Sequence, residues 1–194
     1  MTVSIWRVLL PVLLFASLAS CTWAMRKFFV RPKRLSAGLA FTLVAWPAFA
    51  CLHFFFLFTT HRFEIWAASV ALVCYLGALG IFWWAIAVNR HQPLAACFSK
   101  GEQLHVTQAG PYRFIRHPFY CSYLLTWFAG AIATLSVTLG FTFAAMLALY
   151  FVAAREEEAK FRASSLAGTY EDYRRRTGQF FPAPWKLRVG RRPS

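Results

Sequence analysis

Four stretches of this chain carry no Asp, Glu, Lys or Arg: residues 8–25, 35–60, 65–89 and 117–154. That absence constrains the fold more than any other feature. About 20 apolar residues in a helix cross the hydrocarbon of a bilayer, so each of the first three stretches is one span. The fourth holds 38 residues, and as a single helix it would be nearly 57 Å long, roughly twice what a span needs. It fits two short spans joined by a tight turn, which Thr134, Ser136, Thr138 and Gly140 supply. The expected fold is therefore all-α with five transmembrane helices, at about 4–25, 37–59, 66–88, 118–134 and 138–154. Helices 4 and 5 form a hairpin. A charged helix follows and ends near Gly178, with Pro182 and Pro184 beyond it as stop signals.

Basic residues test this count. Five spans gather loop 26–34, loop 90–116 and tail 155–194 on one side, with 5, 4 and 10 Lys or Arg. Only Arg7 and Arg62 remain for the other side. The positive-inside rule makes the basic side cytoplasmic, with the N-terminus periplasmic if the membrane is a bacterial inner membrane. A hydrophobic share of 59%, against roughly 45–50% in soluble domains, agrees. The net charge of +14 reads as an orientation signal and an attraction to anionic lipids. It does not read as a nucleic-acid site, since no compact basic domain exists to carry one.

Leu18-Ala19-Ser20-Cys21 has the look of a lipoprotein processing site. Export would carry Arg26, Lys27, Arg31, Lys33 and Arg34 across the membrane, so an uncleaved first helix is the reading adopted. Cys21, Cys51, Cys74, Cys97 and Cys121 are odd in number and lack Cys-x-x-Cys spacing, which points to small buried residues. No metal site is expected, and no His-x-x-x-His pattern of a di-iron oxygenase occurs. The whole chain reads as one membrane-embedded domain. Residues 1–88 form helices 1–3, 89–185 a long loop, the hairpin and the terminal helix, and 186–194 a basic tail.

Chemistry concentrates at both ends of the fourth stretch. Before it stands Gly110-Pro111-Tyr112-Arg113-Phe114-Ile115-Arg116-His117-Pro118-Phe119-Tyr120. After it stands Arg155-Glu156-Glu157-Glu158. A helical hairpin brings its two ends to one face, roughly 8–10 Å apart, so the two clusters meet at the membrane surface. Pro118 suits the first helical position and pushes His117 out of helical geometry, which sets His117 at the positive end of a helix dipole. Arg, His and a helix N-terminus suit a carboxylate; the Glu cluster suits an ammonium. An amino-acid moiety bears both groups. Arg113 and Arg116 also read as interface anchors, and Tyr112 and Tyr120 as belt aromatics. His53, inside helix 2, reads as a hydrogen-bond link to a neighbouring helix or as a functional group. Trp83 and Trp84 read as interfacial anchors.

The run Gly110-Pro111-Tyr112-Arg113-x-x-Arg116-His117-Pro118-x-Tyr120 resembles the hallmark of the isoprenylcysteine carboxyl methyltransferase and phospholipid methyltransferase superfamily. Arg155-x-Glu157-Glu158, Tyr170-x-x-Tyr173-x-x-Arg176-Thr177, Phe180 and Pro182 resemble its C-terminal signature. The resemblance covers about 104–182. It implies an integral-membrane enzyme using S-adenosylmethionine. It also implies that Gly110, Pro111, Tyr112, Arg113, Arg116, His117, Pro118 and Tyr120 cradle the cofactor, and that Glu158, with Glu157 as alternative, holds its amino group. Arg155 and Glu157 would face a lipophilic acceptor. The chain departs from the pattern at Leu166-Ala167-Gly168, where relatives often carry Phe-Gly, and at Gln179, where they often carry Arg. The implied reaction is of the isoprenylcysteine carboxyl methyltransferase type. A phospholipid amine or a small-molecule oxygen or sulfur are the alternative acceptors. A non-catalytic scaffold or transporter is the rival class; the absence of an internal repeat argues against a transporter.

Overall fold

The computed structural model describes residues 5–30, 37–90, 94–95 and 105–183. Arg31, Lys33, Arg34, His91, Cys97, Pro184 and the basic tail 186–194 lie outside the described residues. Among the described residues there are six α-helices: α1 (Trp6–Lys27), α2 (Ala37–Thr59), α3 (Ile65–Asn89), α4 (Pro118–Thr134), α5 (Val137–Arg162) and α6 (Ala167–Arg176). Four of them, α1, α2, α3 and α5, are long and apolar enough to cross a membrane. At 17 residues, α4 is shorter than the other four. Besides helices, one parallel pair of two-residue strands joins β1 (Phe29–Val30) to β2 (Leu94–Ala95). It ties the chain beyond α1 to the chain beyond α3, a link that the span pattern does not announce.

The turn between α4 and α5 is tighter than the sequence suggested. Only Leu135 and Ser136 separate the two helices. Leu135 takes the left-handed conformation with φ 51°, and Ser136 caps α5 by accepting from the Leu139 amide at 3.4 Å. A second difference lies at the other end of α5. The helix does not stop at Ala154 but runs on through the charged cluster to Arg162. Its last turns stand clear of the apolar stretch and carry Glu157 and Glu158.

In lipid there is little hydrophobic gain in bringing helices together, so close packing of small residues and buried hydrogen bonds must hold them. α4 is the hub and touches α1, α2, α3 and α5. Buried Ala67, Ala71, Ala78 and Ala85 line α3, while Ser122, Ala129, Gly130 and Ala133 line α4. The Ser122 hydroxyl donates to the Ala78 carbonyl at 2.9 Å across this contact. Pro11 and Pro47 sit inside α1 and α2, as membrane helices tolerate more readily than soluble ones.

His53 is the clasp of the bundle. Its ring is fully buried, and its Nε2 meets the Thr142 hydroxyl of α5 at 3.0 Å. Thr142 gives its own proton to the Leu139 carbonyl at 2.8 Å, so it must accept from Nε2–H. The other nitrogen, Nδ1, faces Gly130 of α4 so closely that a Cβ there would collide with the imidazole. Trp127 packs edge-on to the same ring, with centroids 5.0 Å apart. Of the two readings of this histidine, the helix link is the one its surroundings support. Gly130→Ala is expected to lower the melting temperature in detergent by the equivalent of about 1–3 kcal/mol, as overpacking does. Adding His53→Ala should recover much of that loss, and a double variant no more stable than Gly130→Ala would contradict the contact.

Candidate active site

The segment before α4 is fixed from two sides. On one side, Gly110 opens a short 3-10 turn (Gly110–Arg113) with φ 56°, a backbone region that glycine enters at little cost. A Cβ at Gly110 would run into Val88 and Trp84 of α3, so the turn lies flush on that helix. On the other side runs the strap after α6. The Arg116 amide donates to the Gly178 carbonyl at 2.8 Å, His117 to Gln179 at 3.2 Å, and Gly178 back to Phe114 at 3.1 Å. Ile115 and Gly178 form a parallel bridge. Tyr173 of α6 adds a hydrogen bond from its hydroxyl to the Tyr112 carbonyl at 2.8 Å, and Phe161 of α5 stacks on Tyr170 of α6 at 4.6 Å.

Pro118 begins α4, and His117 precedes it with φ −123° and ψ 65°, outside helical geometry as the sequence required. Its imidazole therefore turns toward the overhang of α5. Arg116 Nε reaches Glu158 Oε1 at 2.9 Å, and His117 Nε2 reaches the same oxygen at 3.2 Å. His117 Nδ1 lies 3.5 Å from Glu157 Oε2, while the Tyr120 hydroxyl donates to Glu157 Oε1. The guanidinium is held further by the Thr177 carbonyl at 2.6 Å and the Arg174 carbonyl at 3.4 Å. The side chains of Arg116 and Glu158 are 7% and 10% exposed, so this pair is shielded from water. Glu157, at 17%, is the most open member of the cluster.

Electrostatics follow from this packing. Burial alone would discharge His117, but the hydrogen bonds and charges of Glu157 and Glu158 outweigh it and raise its pKa above 6.5. Burial pushes the Tyr112 hydroxyl well above its ordinary pKa, with the Asn89 side chain working the other way. Tyr120 stacks between His117 and Tyr150, at centroid distances of 5.5 and 5.1 Å. Trp46 of α2 donates to the Tyr150 hydroxyl at 3.2 Å. A file of aromatic rings thus leads from the carboxylates into the apolar bundle.

Among the residues singled out from sequence, Arg116, His117, Tyr120, Glu157 and Glu158 converge. Gly110, Pro111 and Tyr112 shape the adjoining turn, and Pro118 starts the helix. Arg113 and Arg155 do not join them: both are exposed, and the Arg155 guanidinium lies over the Phe151 ring at 4.8 Å. Arg155 is two residues from Glu157, which places them on nearly opposite faces of α5. Glu156 is exposed as well. The sequence reading missed Asn89 and Tyr150, two polar groups inside apolar stretches, and the backbone carbonyls that hold Arg116. Asn89, an uncharged amide at the end of a span, was the only one with a visible signal.

A polytopic helical membrane protein with a buried guanidinium–carboxylate–imidazole cluster at one end of its bundle is the class that fold and site define. A sequence model of the phospholipid methyltransferase family matches residues 66–165, just over half of the 194-residue chain. The chain belongs to the phospholipid methyltransferase family and is a membrane methyltransferase by that membership. The match takes in nearly all of α3 and the whole of α4 and α5, and it includes α3 where the motif resemblance did not. No curated protein matches the chain.

Two outcomes follow for stability. Glu158→Ala leaves Arg116 buried without its counter-charge, a change that typically costs about 3–5 kcal/mol; thermal melting in detergent measures it. His117 binds its proton more tightly folded than unfolded, so its contribution is complete below pH 6.5 and fades as pH rises through the higher folded pKa. The melting temperature should fall across that window, and His117→Gln should flatten the fall.

Proposed function

We propose that this protein transfers a methyl group from S-adenosylmethionine to a lipid acceptor at the cytoplasmic face of the membrane. The observation that carries the reading is the convergence of Arg116, His117 and Tyr120 with Glu157 and Glu158 in a chain of a methyltransferase family. Support for the lipid comes from the family description and from the aromatic file that opens into the bundle. The same description favours a phospholipid over a prenylcysteine acceptor.

S-adenosylmethionine presents a carboxylate, an ammonium and a sulfonium, and the residues present fit these groups. The start of α4 turns the positive end of its helix dipole toward a carboxylate. Glu158, locked by Arg116, is a fixed negative charge for the ammonium. When bound, the cofactor supplies an electrophilic methyl group. The chain's own task is alignment, since the rate of such a displacement depends on holding both reactants in line. Tyr120 orients Glu157 through a hydrogen bond, and His117 lies against its other oxygen. Glu157 is thus placed to take a proton from an amine acceptor, which must lose one to react. Arg113 and Arg155, exposed at the rim, act on anionic lipid headgroups and not on the methyl group.

In this reading α4 is a fifth, short span. The N-terminus is then periplasmic and the tail cytoplasmic, on the side that holds 19 of the 21 Lys and Arg.

The test uses purified protein in detergent. Calorimetry should detect binding of S-adenosylmethionine, and labelled methyl should pass into a lipid extract and not into a protein lysate. Glu157→Gln leaves the Arg116–Glu158 pair intact; it should keep cofactor binding and lose transfer by about a hundredfold or more, the size of a general-base contribution. No cofactor binding by folded protein would overturn the reading.

A further inference from the structure

The end of α1 folds a corner out of two aromatic rings. The Trp23 indole and the Phe28 ring stand nearly perpendicular, at 73°, with centroids 5.3 Å apart. The Lys27 ammonium sits against both, 4.9 Å from the Trp23 centroid and 5.7 Å from that of Phe28. Four residues separate Lys27 from Trp23, which puts them on one face of the helix. Among the described residues Lys27 joins no ion pair. Trp83 of α3 packs on Trp23 at 5.4 Å, and Phe82, buried to 3% exposure, meets Trp83 edge-on at 5.8 Å. The corner is thus braced from inside the bundle, while Trp23 and Trp83 stay 42% and 43% exposed.

A cation already lies on these ring faces, which shows the sign of charge that the corner takes. Ring faces are negative and draw a cation electrostatically. The lysine ammonium is a compact, strongly hydrated charge, and at an exposed site it gives up little of its water. A methylated ammonium suits the rings better. Its charge is spread over methyl groups that hold water weakly, and their bulk fills the space between two ring faces. The corner also lies at the end of a membrane span, on the end of the bundle where α4 begins, since Phe82 meets Phe119 of the first turn of α4 at 5.6 Å. That is the level of lipid headgroups. A lysine moved off the rings there is placed to meet the phosphate of the same headgroup.

We infer that Trp23 and Phe28 form a recognition site for a lipid headgroup bearing a methylated ammonium, with Lys27 as the internal cation that such a headgroup displaces. The site stands apart from the carboxylate cluster and belongs to α1 and α3. Methyl transfer to a phospholipid amine yields a headgroup of this kind, so the corner takes the product in preference to the acceptor. That use rests on the function proposed above; the recognition itself does not.

Calorimetry on the full-length protein in a maltoside detergent tests it, with no cofactor added. The probes are a short-chain phosphatidylcholine, the matching phosphatidylethanolamine, and phosphocholine, which has the headgroup without the chains. Phosphatidylcholine should bind roughly tenfold tighter than phosphatidylethanolamine, the size of two exposed cation–ring contacts. Trp23→Leu and Phe28→Leu should each lower that ratio about threefold. A general loss of lipid affinity would lower both affinities and leave the ratio alone. Lys27→Met should keep the ratio or widen it, because the rings and not the lysine tell the headgroups apart. Equal affinities in the wild type, a ratio unchanged in the ring variants, or a ratio lost in Lys27→Met would overturn the inference. Phosphocholine that binds as tightly as the lipid would assign the corner to a soluble amine and overturn the lipid. Phe28 lies beyond the end of α1, so Phe28→Leu decides the matter even if Trp23→Leu does not fold. Wild-type protein that fails to bind S-adenosylmethionine would overturn the proposed function and leave this test standing.

Discussion

A carboxylate withdrawn from water must be paired, and Glu158 is the carboxylate on which this structure turns. Its partners come from the segment before α4, and the guanidinium that holds it is held in turn by carbonyls at the end of α6. One ion pair therefore gathers three parts of the chain that share no sequence proximity. The strap 177–183, the loop before Pro118 and the overhang of α5 all take their places around it. Remove the charge, and a buried guanidinium would be left with only backbone dipoles for company. The arrangement is costly to desolvate and strongly directional, which suits a site that must keep its shape between ligands.

The helices of the bundle obey a different rule. Their contacts are alanine against alanine and hydroxyl against carbonyl, with a histidine wedged against a glycine. Among the described residues no ion pair joins the spans, although the Arg7 guanidinium of α1 reaches the Phe58 carbonyl of α2 at 3.4 Å. The polar end is organised by electrostatics and the membrane interior by close approach. Tyr120 joins the two regimes: its hydroxyl belongs to Glu157 and its ring to the aromatic file of Tyr150 and Trp46.

Much of this was legible in the sequence, for physical reasons. Charge-free stretches mark the helices because charges are expensive in hydrocarbon, and Pro118 marks the start of α4 because its ring allows little else. The hairpin then folds His117 onto Glu158 with no further assumption. Other features were hidden. Arg155 stands beside the glutamates in sequence but on another face of the helix, and that is decided by where α5 keeps winding, not by spacing alone. The continuation of α5 past Ala154 was obscured because charged residues look like the end of a span even when the helix goes on. The carbonyls that grip Arg116 leave no trace in side-chain identity. His53 carried an ambiguous signal that only its neighbours, Gly130 and Thr142, could resolve.

The shortness of α4 bears on how a lipid would meet this protein. Seventeen residues of helix reach about 25 Å, against a hydrocarbon layer of about 30 Å. A helix that falls short draws the bilayer thinner around it. As the fifth span proposed above, α4 would set its mouth, where His117 and the glutamates gather, lower than the surrounding headgroup plane, in a dimple of the leaflet. Headgroups would sink toward the carboxylates with the membrane itself, and the lipid would not have to climb out of its own layer to be reached.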